Sequence, residues 1–397
     1  MPRDSYGWAS YRTLQVRWLP RYLLMALLLE SCGATAPPAQ SRTTDTDNDY
    51  TEQDSPRVLR AFDASVVLGL GSAERVSGRM ASVTCGDDIG CATDEAGQAY
   101  CWGRSRVDTP AMPAGVLHRS PTRIEVGAAR RVQGHPLCVE GWTSQLRCWR
   151  TNRFEEFPWR VRSFDISRSG CVISLDGVLR CSALAHPEPI LEQPPPAAFL
   201  PMAIPEPVVD VADSGARRCA VTESGGLYCW GRNRGRLGLG HREDRYEPER
   251  VEGLPPVVAV SMGAAHICAL DEEGTVWCWG LNHRGQVSPE TSHSIETPTP
   301  RPALSPATRV VAWGTSTCAV VGRRLRCTKD THPSARAAHR FASVGDDAVF
   351  ELFVGLQSPL RDLCIGAGIG CMIDESGVLY CWDPHLNESG LVRLSRP

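Results

Sequence analysis

GAAHICALDEEGTVWCWG, residues 263–280, decides the fold. Its two cysteines, Cys268 and Cys278, stand ten apart, with alternating apolar residues between them and an Asp-Glu-Glu-Gly turn in the middle. Read as a β-hairpin, Cys268 pairs with Cys278, Ala269 with Trp277, Leu270 with Val276 and Asp271 with Thr275. A three-residue loop remains, Glu272, Glu273 and Gly274. The last residue of such a loop enters the left-handed region, where glycine has no Cβ penalty. The two cysteines then face each other across the ladder at a separation of about 4.5–5.5 Å, which a disulfide can span.

The unit recurs along the chain. Cys91 and Cys101 have Gly97 in the turn between them, Cys171 and Cys181 have Gly177, Cys219 and Cys229 have Gly225, and Cys371 and Cys381 have Gly377. Cys138 and Cys148 keep the spacing with Ser144 at the turn position. Cys318 and Cys327 stand one residue closer and leave a two-residue Gly322-Arg323 loop, the Gly-X solution of a type II′ turn. The first cysteines of successive copies lie 47, 33, 48, 49, 50 and 53 residues apart. Strand-rich repeats with periods near 40–50 residues are the signature of propeller blades. The expectation is an all-β, seven-bladed propeller with a disulfide-bridged hairpin in each blade.

The formal net charge is −3 over 397 residues, which gives no basic field for nucleic acid. Lys329 is the only lysine, so the basic side is carried by arginine. Seventeen cysteines point to an oxidising compartment. Zinc is the competing reading, but metal sites bring cysteines two to four apart and no C-x₂-C occurs. Fourteen cysteines form the hairpin pairs, leaving Cys32, Cys85 and Cys364. Cys85 lies six residues before its hairpin cysteine and Cys364 seven, in the first and last blades. Strand side chains alternate faces, so opposite parity on facing blades suits a bridge that clips the ring shut. Two buried free thiols are the alternative.

Arg3, Arg12, Arg17 and Arg21 precede an apolar run from Tyr22 to Leu29, then Ser31-Cys32-Gly33. A basic start, a short apolar run and a small-residue exit describe a secretory signal, too short for a membrane span. Leu29-Glu30-Ser31-Cys32 resembles the lipobox of bacterial lipoproteins, which implies acylation of Cys32; Glu30 departs from the usual small residue. An ordinary signal peptide cleaved nearby is the alternative. Residues 1–31 are thus read as a lipoprotein signal peptide. Residues 32–56, rich in Ala, Pro, Thr, Asp and Gln, read as a flexible tether, and 57–397 as the propeller.

Within the propeller, short β-branched runs such as Val208 to Val211 and Val257 to Met262 read as innermost strands. Gly86, Gly263 and Gly366, each five residues before a hairpin cysteine, read as points of tight packing at the centre. The 33-residue interval after Cys138 implies that the second blade lacks its outer strand. Ser182 to Pro207 reads as an irregular, Pro-rich insertion. Leu391 to Leu394 is expected to close the ring with a strand near Ser65 to Leu68. The recurrent Trp102, Trp149, Trp230, Trp279 and Trp382 read as packing between blades.

Gly-x-x-His-x-Cys-Ala-Leu-x-x-x-Gly-x-Val-Trp-Cys-Trp-Gly in 263–280 resembles the repeat of the RCC1 (regulator of chromosome condensation 1) family. The segment from Trp230 to Gly240 is similar to that family's W-G-x-N-x-x-G-Q-L-G-L-G. The resemblance covers about residues 57–397 and is strongest in the fourth and fifth copies. It implies a seven-bladed propeller, a structural role for His266, and a likeness in setting to the secreted bacterial members, among which is a β-lactamase inhibitor that binds protein with one face. It also brings a guanine-nucleotide exchange reading, which a secreted, disulfide-rich chain does not suit.

No H-E-x-x-H, G-x-S-x-G or P-loop occurs, and the acidic residues Asp271, Glu272 and Glu273 are accounted for as turn chemistry. No catalytic, cofactor-binding or metal-ligating residue is assigned. The expectation is a non-enzymatic, monomeric binding module of the bacterial cell envelope, an outer-membrane lipoprotein or a secreted protein. It would take a protein or polysaccharide ligand on one face, without nucleic acid, and meet membrane only through its lipid. A hydrolase or lyase with a site at the channel mouth is the alternative.

Overall fold

A computed structural model of the protein describes residues 76–397 apart from 87–88, 105–111, 114, 135–136, 151–152, 167–169, 184–194, 329–348, 353–357, 367–368, 383–391, 394 and 397. The signal and tether readings, Cys32, and the strand expected near Ser65 to Leu68 lie outside the described residues. The fifth repeat shows the plan. Val257–Met262, His266–Asp271, Val276–Gly280 and Ile295–Pro300 form a four-stranded antiparallel meander. Its register pairs Cys268 with Cys278, Ala269 with Trp277 and Leu270 with Val276, as the sequence predicts. Five sheets have this four-stranded form.

All seven hairpins carry their disulfide. In chain order, Cys91 is bonded to Cys101, Cys138 to Cys148, Cys171 to Cys181, Cys219 to Cys229, Cys268 to Cys278, Cys318 to Cys327 and Cys371 to Cys381. In each pair the two cysteines are direct partners across the ladder. The sequence reading sets them at about 4.5–5.5 Å. The Cα–Cα separations are shorter, 4.0–4.2 Å. These are the close, non-hydrogen-bonded positions of an antiparallel ladder, drawn in by the bond.

Strand composition follows position in the sheet. The second strand of the fifth repeat is buried at every residue, as are Ile89–Asp94 and Arg217–Thr222. Each is covered on both faces by neighbouring sheets, so Cys, Ala, Val and Ile replace strict alternation. The outermost strand is only half-covered and tolerates Pro298 and Pro300, which a central strand would reject. Seven apolar clusters fill the spaces between successive repeats, among them Met80, Trp102, Ile369 and Leu379 between the first and the last. Trp102, Trp230 and Trp279 are wholly buried there. Trp149 is half-buried, edge-on to Phe154 at 5.1 Å.

Two local expectations are corrected. The second repeat does have an outer strand. The 14-residue strand Arg153–Ile166 pairs first with Gln145–Arg150 of that repeat, then with Gly170–Ser174 of the third. One strand therefore serves as the rim of one repeat and the centre of the next, which is how a 33-residue interval suffices. Ser182 to Pro207 is not wholly irregular, because Leu200–Pro201 pairs with Arg180 and Cys181 as a short fourth strand. Gly263 and Gly366 mark tight packing just after the innermost strands, as the sequence predicts. A Cβ on Gly366 would lie 1.9 Å from the Gly86 carbonyl oxygen, and one on Gly263 2.2 Å from Cε1 of His266.

Neighbouring repeats are joined by a recurring bond. The carbonyl of the last turn residue accepts the N–H at the start of the next innermost strand. The pairs are Gly97–Ala129 at 2.9 Å, Ser144–Val161 at 2.8 Å, Gly177–Val208 at 2.8 Å, Gly225–Val257 at 2.9 Å and Gly274–Ala307 at 2.7 Å. Gly377–Met80, at 2.8 Å, closes the ring from the seventh repeat to the first. The glycine is needed twice over: Gly225 has φ +81°, and a Cβ there would sit 2.7 Å from Cα of Pro256. Ser144 makes the same bond at φ 60°. Left-handed backbone costs a non-glycine residue about 1–2 kcal/mol. Ser144→Gly is therefore expected to stabilise the protein by about 1 kcal/mol, read as a rise in the urea midpoint at unchanged slope. A lower midpoint would show that the serine is favoured by its surroundings.

The seam holds two further features. Val392–Arg393 is the fourth strand of the seventh repeat, and Val76–Ser77 pairs in parallel with Ser395–Arg396. Cys85 is bonded to Cys364 across 279 residues, with Cα atoms 5.4 Å apart.

Candidate binding face

The innermost strands present two kinds of polar side chain, and the axis shows what the first kind does. Each interface between repeats is crossed by a side chain from one innermost strand to the next. Ser82 and Thr84 donate to the carbonyls of Arg130 and Val132, and Gln133 bonds both the N–H and the carbonyl of Ile166. Asp165 accepts from Asp213 N–H and Asp210 from Val260 N–H, each at 2.9 Å. Ala312 N–H donates to Ser261, and Arg309 donates to Asp362 at 2.7 Å. Asp362 in turn accepts Val83 N–H at 2.9 Å, completing the circle. Carboxylates do gather near the axis, as a channel-mouth enzyme would require. Each, however, is committed to the backbone of the next strand.

This girdle has an electrostatic consequence. Burial, then the neighbouring Asp213 carboxylate, push Asp165 up to about 7, against partial relief from Asp213 N–H and Arg131. Asp210 is also raised, mainly by burial. The folded protein therefore holds a proton on Asp165 that the unfolded chain has released. The stability gained from it is full below the ordinary carboxylate range and is lost as pH rises towards 7. His266 acts in the opposite sense. Its ring is buried, with Nε2 2.9 Å from Thr317 Oγ1 of the next repeat, and burial lowers it to about 3. Its contribution is full above the ordinary histidine range and is lost as pH falls below that range. Asp165→Asn keeps an acceptor for Asp213 N–H and removes the ionisation. We expect it to make the decline in urea midpoint between about pH 4 and pH 7 shallower; an unchanged slope would place that titration elsewhere.

The second kind of polar side chain lies at the hairpin-turn end of the ring. Aligned on their cysteines, the repeats place Glu95, Trp142, Leu175, Glu223, Glu272, Gly322 and Glu375 at the first turn position. Glu95 pairs with Arg79 at 3.3 Å and with Arg361 of the preceding repeat at 3.2 Å. Glu223 pairs with Arg162 of the preceding repeat at 3.4 Å. Trp142 and Leu175 break the acidic pattern and stand 56% and 49% exposed. Their turns are held against one dipeptide: Ser144 accepts from Val161 N–H, and Leu175 N–H donates to Arg160 at 3.1 Å. Trp142 reaches back over the first repeat, its Nε1 2.9 Å from where a Cβ on Gly97 would lie. Arginines 130, 160 and 162, on the adjoining innermost strands, are exposed. An exposed tryptophan on a rigid turn, with arginines on the adjoining strands, has the composition of a binding hot spot.

The cysteine reading did not find this face. Its signal was present in the alignment of the turns, where two adjacent copies replace the acid. Among the described residues no group of three or more His, Cys, Asp or Glu could hold a metal ion, and no helix is long and apolar enough to cross a membrane.

The fourth and fifth repeats carry the likeness to known proteins. The description "Regulator of chromosome condensation (RCC1) repeat" matches residues 224–270 and, in a second form, 257–286. The chain carries RCC1 repeats. The matched RCC1 stretches hold Asn233 and Asn282, both fully buried, whose amide oxygens each accept two backbone N–H groups of the loop that follows. Leu237 of the same segment is buried in one cluster with Trp279 of the next repeat. The human E3 ubiquitin-protein ligase HERC2 is 52% identical over 48 residues, 12% of this chain. The chain spans about 1% of that protein's length. Human WBSCR16 shares the fold, with a TM-score of 0.51 at 12% identity over 81% of this chain and 82% of that one. Prp20p of Saccharomyces cerevisiae gives 0.48 at 14% identity over 80% and 77%. The many disulfides fit an extracellular or secreted setting.

Proposed function

We propose that the protein is a seven-bladed, non-enzymatic module of the bacterial envelope that captures a protein partner on its hairpin-turn face. The observation that carries this reading is the exposed Trp142–Leu175 pair, set among arginines on turns that backbone bonds hold rigid. Preorganised anchors lose little freedom on binding. Leu29-Glu30-Ser31-Cys32 supports anchoring through lipid on Cys32, with residues 32–56 as the tether that holds the ring off the membrane.

A photo-crosslinking residue installed at Trp142 in the producing cell tests the face. We expect one dominant protein adduct that disappears with Leu175→Ala. The same probe at Tyr246, an exposed residue on the outer strand of the fourth repeat, is the reference. Equal yields of the same adducts from both positions would remove the proposed face. The intact mass of the mature protein reports the lipid at Cys32.

A further inference from the structure

We infer that the Trp142–Leu175 face takes an apolar partner segment that brings its own carboxylate to Arg130. This rests on the binding face just proposed and specifies what the partner must carry. The repeats supply the template. In the third repeat, Arg162 occupies the extra residue of a register shift in the innermost strand, between Val161 and Ser163, and pairs with Glu223 in the next turn at 3.4 Å. In the seventh repeat, Arg361 occupies the same position, between Leu360 and Asp362, and pairs with Glu95 in the turn of the first repeat at 3.2 Å. Arg130 occupies it in the second repeat, between Ala129 and Arg131. The next turn there has Leu175 in place of the glutamate.

The chain therefore builds the arginine half of this cross-repeat pair and omits the carboxylate half at one interface. Arg130 is 56% exposed and leans at 3.4 Å on Glu140 of its own repeat. Glu140 is itself buried, and that burial raises its carboxyl. Arg160, beside Leu175, is exposed and makes no ion pair among the described residues. A carboxylate arriving at Arg130 would form a charge-assisted bond, and apolar neighbours lying on Trp142 and Leu175 would shield it from water. Glu95, Glu223, Glu272 and Glu375 occupy four of the other five turns and would repel an acidic segment from them, which favours docking at Leu175.

A phage-displayed random dodecapeptide library panned on the oxidised protein tests the inference. The most enriched peptide, and its counterpart with Asp and Glu changed to Asn and Gln, are then titrated by fluorescence anisotropy. We expect enrichment of acidic residues beside Leu, Phe or Trp, and about tenfold weaker binding of the amide counterpart. Leu175→Glu recreates within the chain the pair seen at Arg162–Glu223. It should keep the melting temperature at or above that of the parent while binding falls by about tenfold or more. Arg130→Gln should weaken binding similarly, and Tyr246→Ala should leave it unchanged. Binding that needs Trp142 but is indifferent to the amide changes would overturn the carboxylate and leave the face standing. A failure to enrich, or peptides that bind without Trp142, Leu175 and Arg130, would overturn both.

Discussion

Replacing Cys85 and Cys364 together by serine is expected to destabilise the ring by about 5 kcal/mol, more than the loss of any hairpin bridge. The reason is the length of chain each bond closes. Cys85–Cys364 spans 279 residues, whereas Cys219–Cys229 spans 10. Loop-closure entropy grows with the logarithm of that length, so a hairpin bridge contributes about 3 kcal/mol on the same scale. The other seam contacts survive in the double variant. Met80 N–H still donates to Gly377, Val83 N–H to Asp362, and Arg361 still faces Glu95. The expected product is thus a folded ring that opens more readily at the seam, not an unfolded chain. Exposure gives a second readout. The hairpin cysteines are at most 6% exposed, while Cys85 and Cys364 are half-buried. Mild reduction of the native protein, followed by alkylation and peptide mapping, should label Cys85 and Cys364 before any other pair. Equal labelling of hairpin cysteines under native conditions would refute the ordering. An unchanged urea midpoint in the double variant would show that the backbone contacts alone hold the seam.

Much of the fold was legible because one local pattern repeats. The cysteine spacing, the alternation and the turn glycine specify a hairpin and its register without distant information, and the structure reproduces that register at Cys268–Cys278. The shorter copy follows the same logic, with Cys318 opposite Cys327 across its two-residue turn. What stayed hidden depends on the next repeat. The turn glycine is legible as a left-handed residue, but its second task, meeting the following innermost strand, needs both repeats in view. The same holds for Arg153–Ile166. A 33-residue interval suggests a missing strand until one continuous strand is seen to serve two repeats within one sheet. The binding face was obscured for a related reason. Trp142 and Leu175 carry no signal singly, since lone exposed apolar residues are ordinary. They become a site only when adjacent repeats hold both turns against Arg160–Val161 and the Arg162–Glu223 pair shows what their interface lacks. The axial carboxylates were missed although their spacing was visible, Asp165 six residues before its hairpin cysteine and Asp210 and Asp362 each nine before theirs, because only the neighbouring strand shows that they turn toward its backbone.

Asp213→Ala should be the most damaging single substitution at the axis, at about 3–5 kcal/mol. Asp213 sits where two systems meet. Its carboxylate accepts Arg218 Nε at 3.0 Å and Gly215 N–H at 2.6 Å, and its own N–H donates to Asp165. The Arg218 and Asp213 side chains are 2% and 0% exposed. Arg218 also donates to the Ser182 carbonyl at 2.7 Å, so it cannot withdraw to water without breaking the contact between the third and fourth repeats. Alanine would leave that guanidinium buried with neutral acceptors alone. Removing both charges, as Asp213→Ala with Arg218→Met, should recover most of the loss, because a buried ion pair is worth little against an apolar replacement of similar volume. The single variant should also move Asp165 down from about 7, since the Asp213 carboxylate is the second cause of its elevation after burial. Stability should then decline over a lower pH range than in the parent. Urea midpoints of the parent, the single and the double variant across pH separate these effects. A double variant no more stable than Asp213→Ala would show that the Gly215 contact, and not the buried charge, is what the aspartate secures.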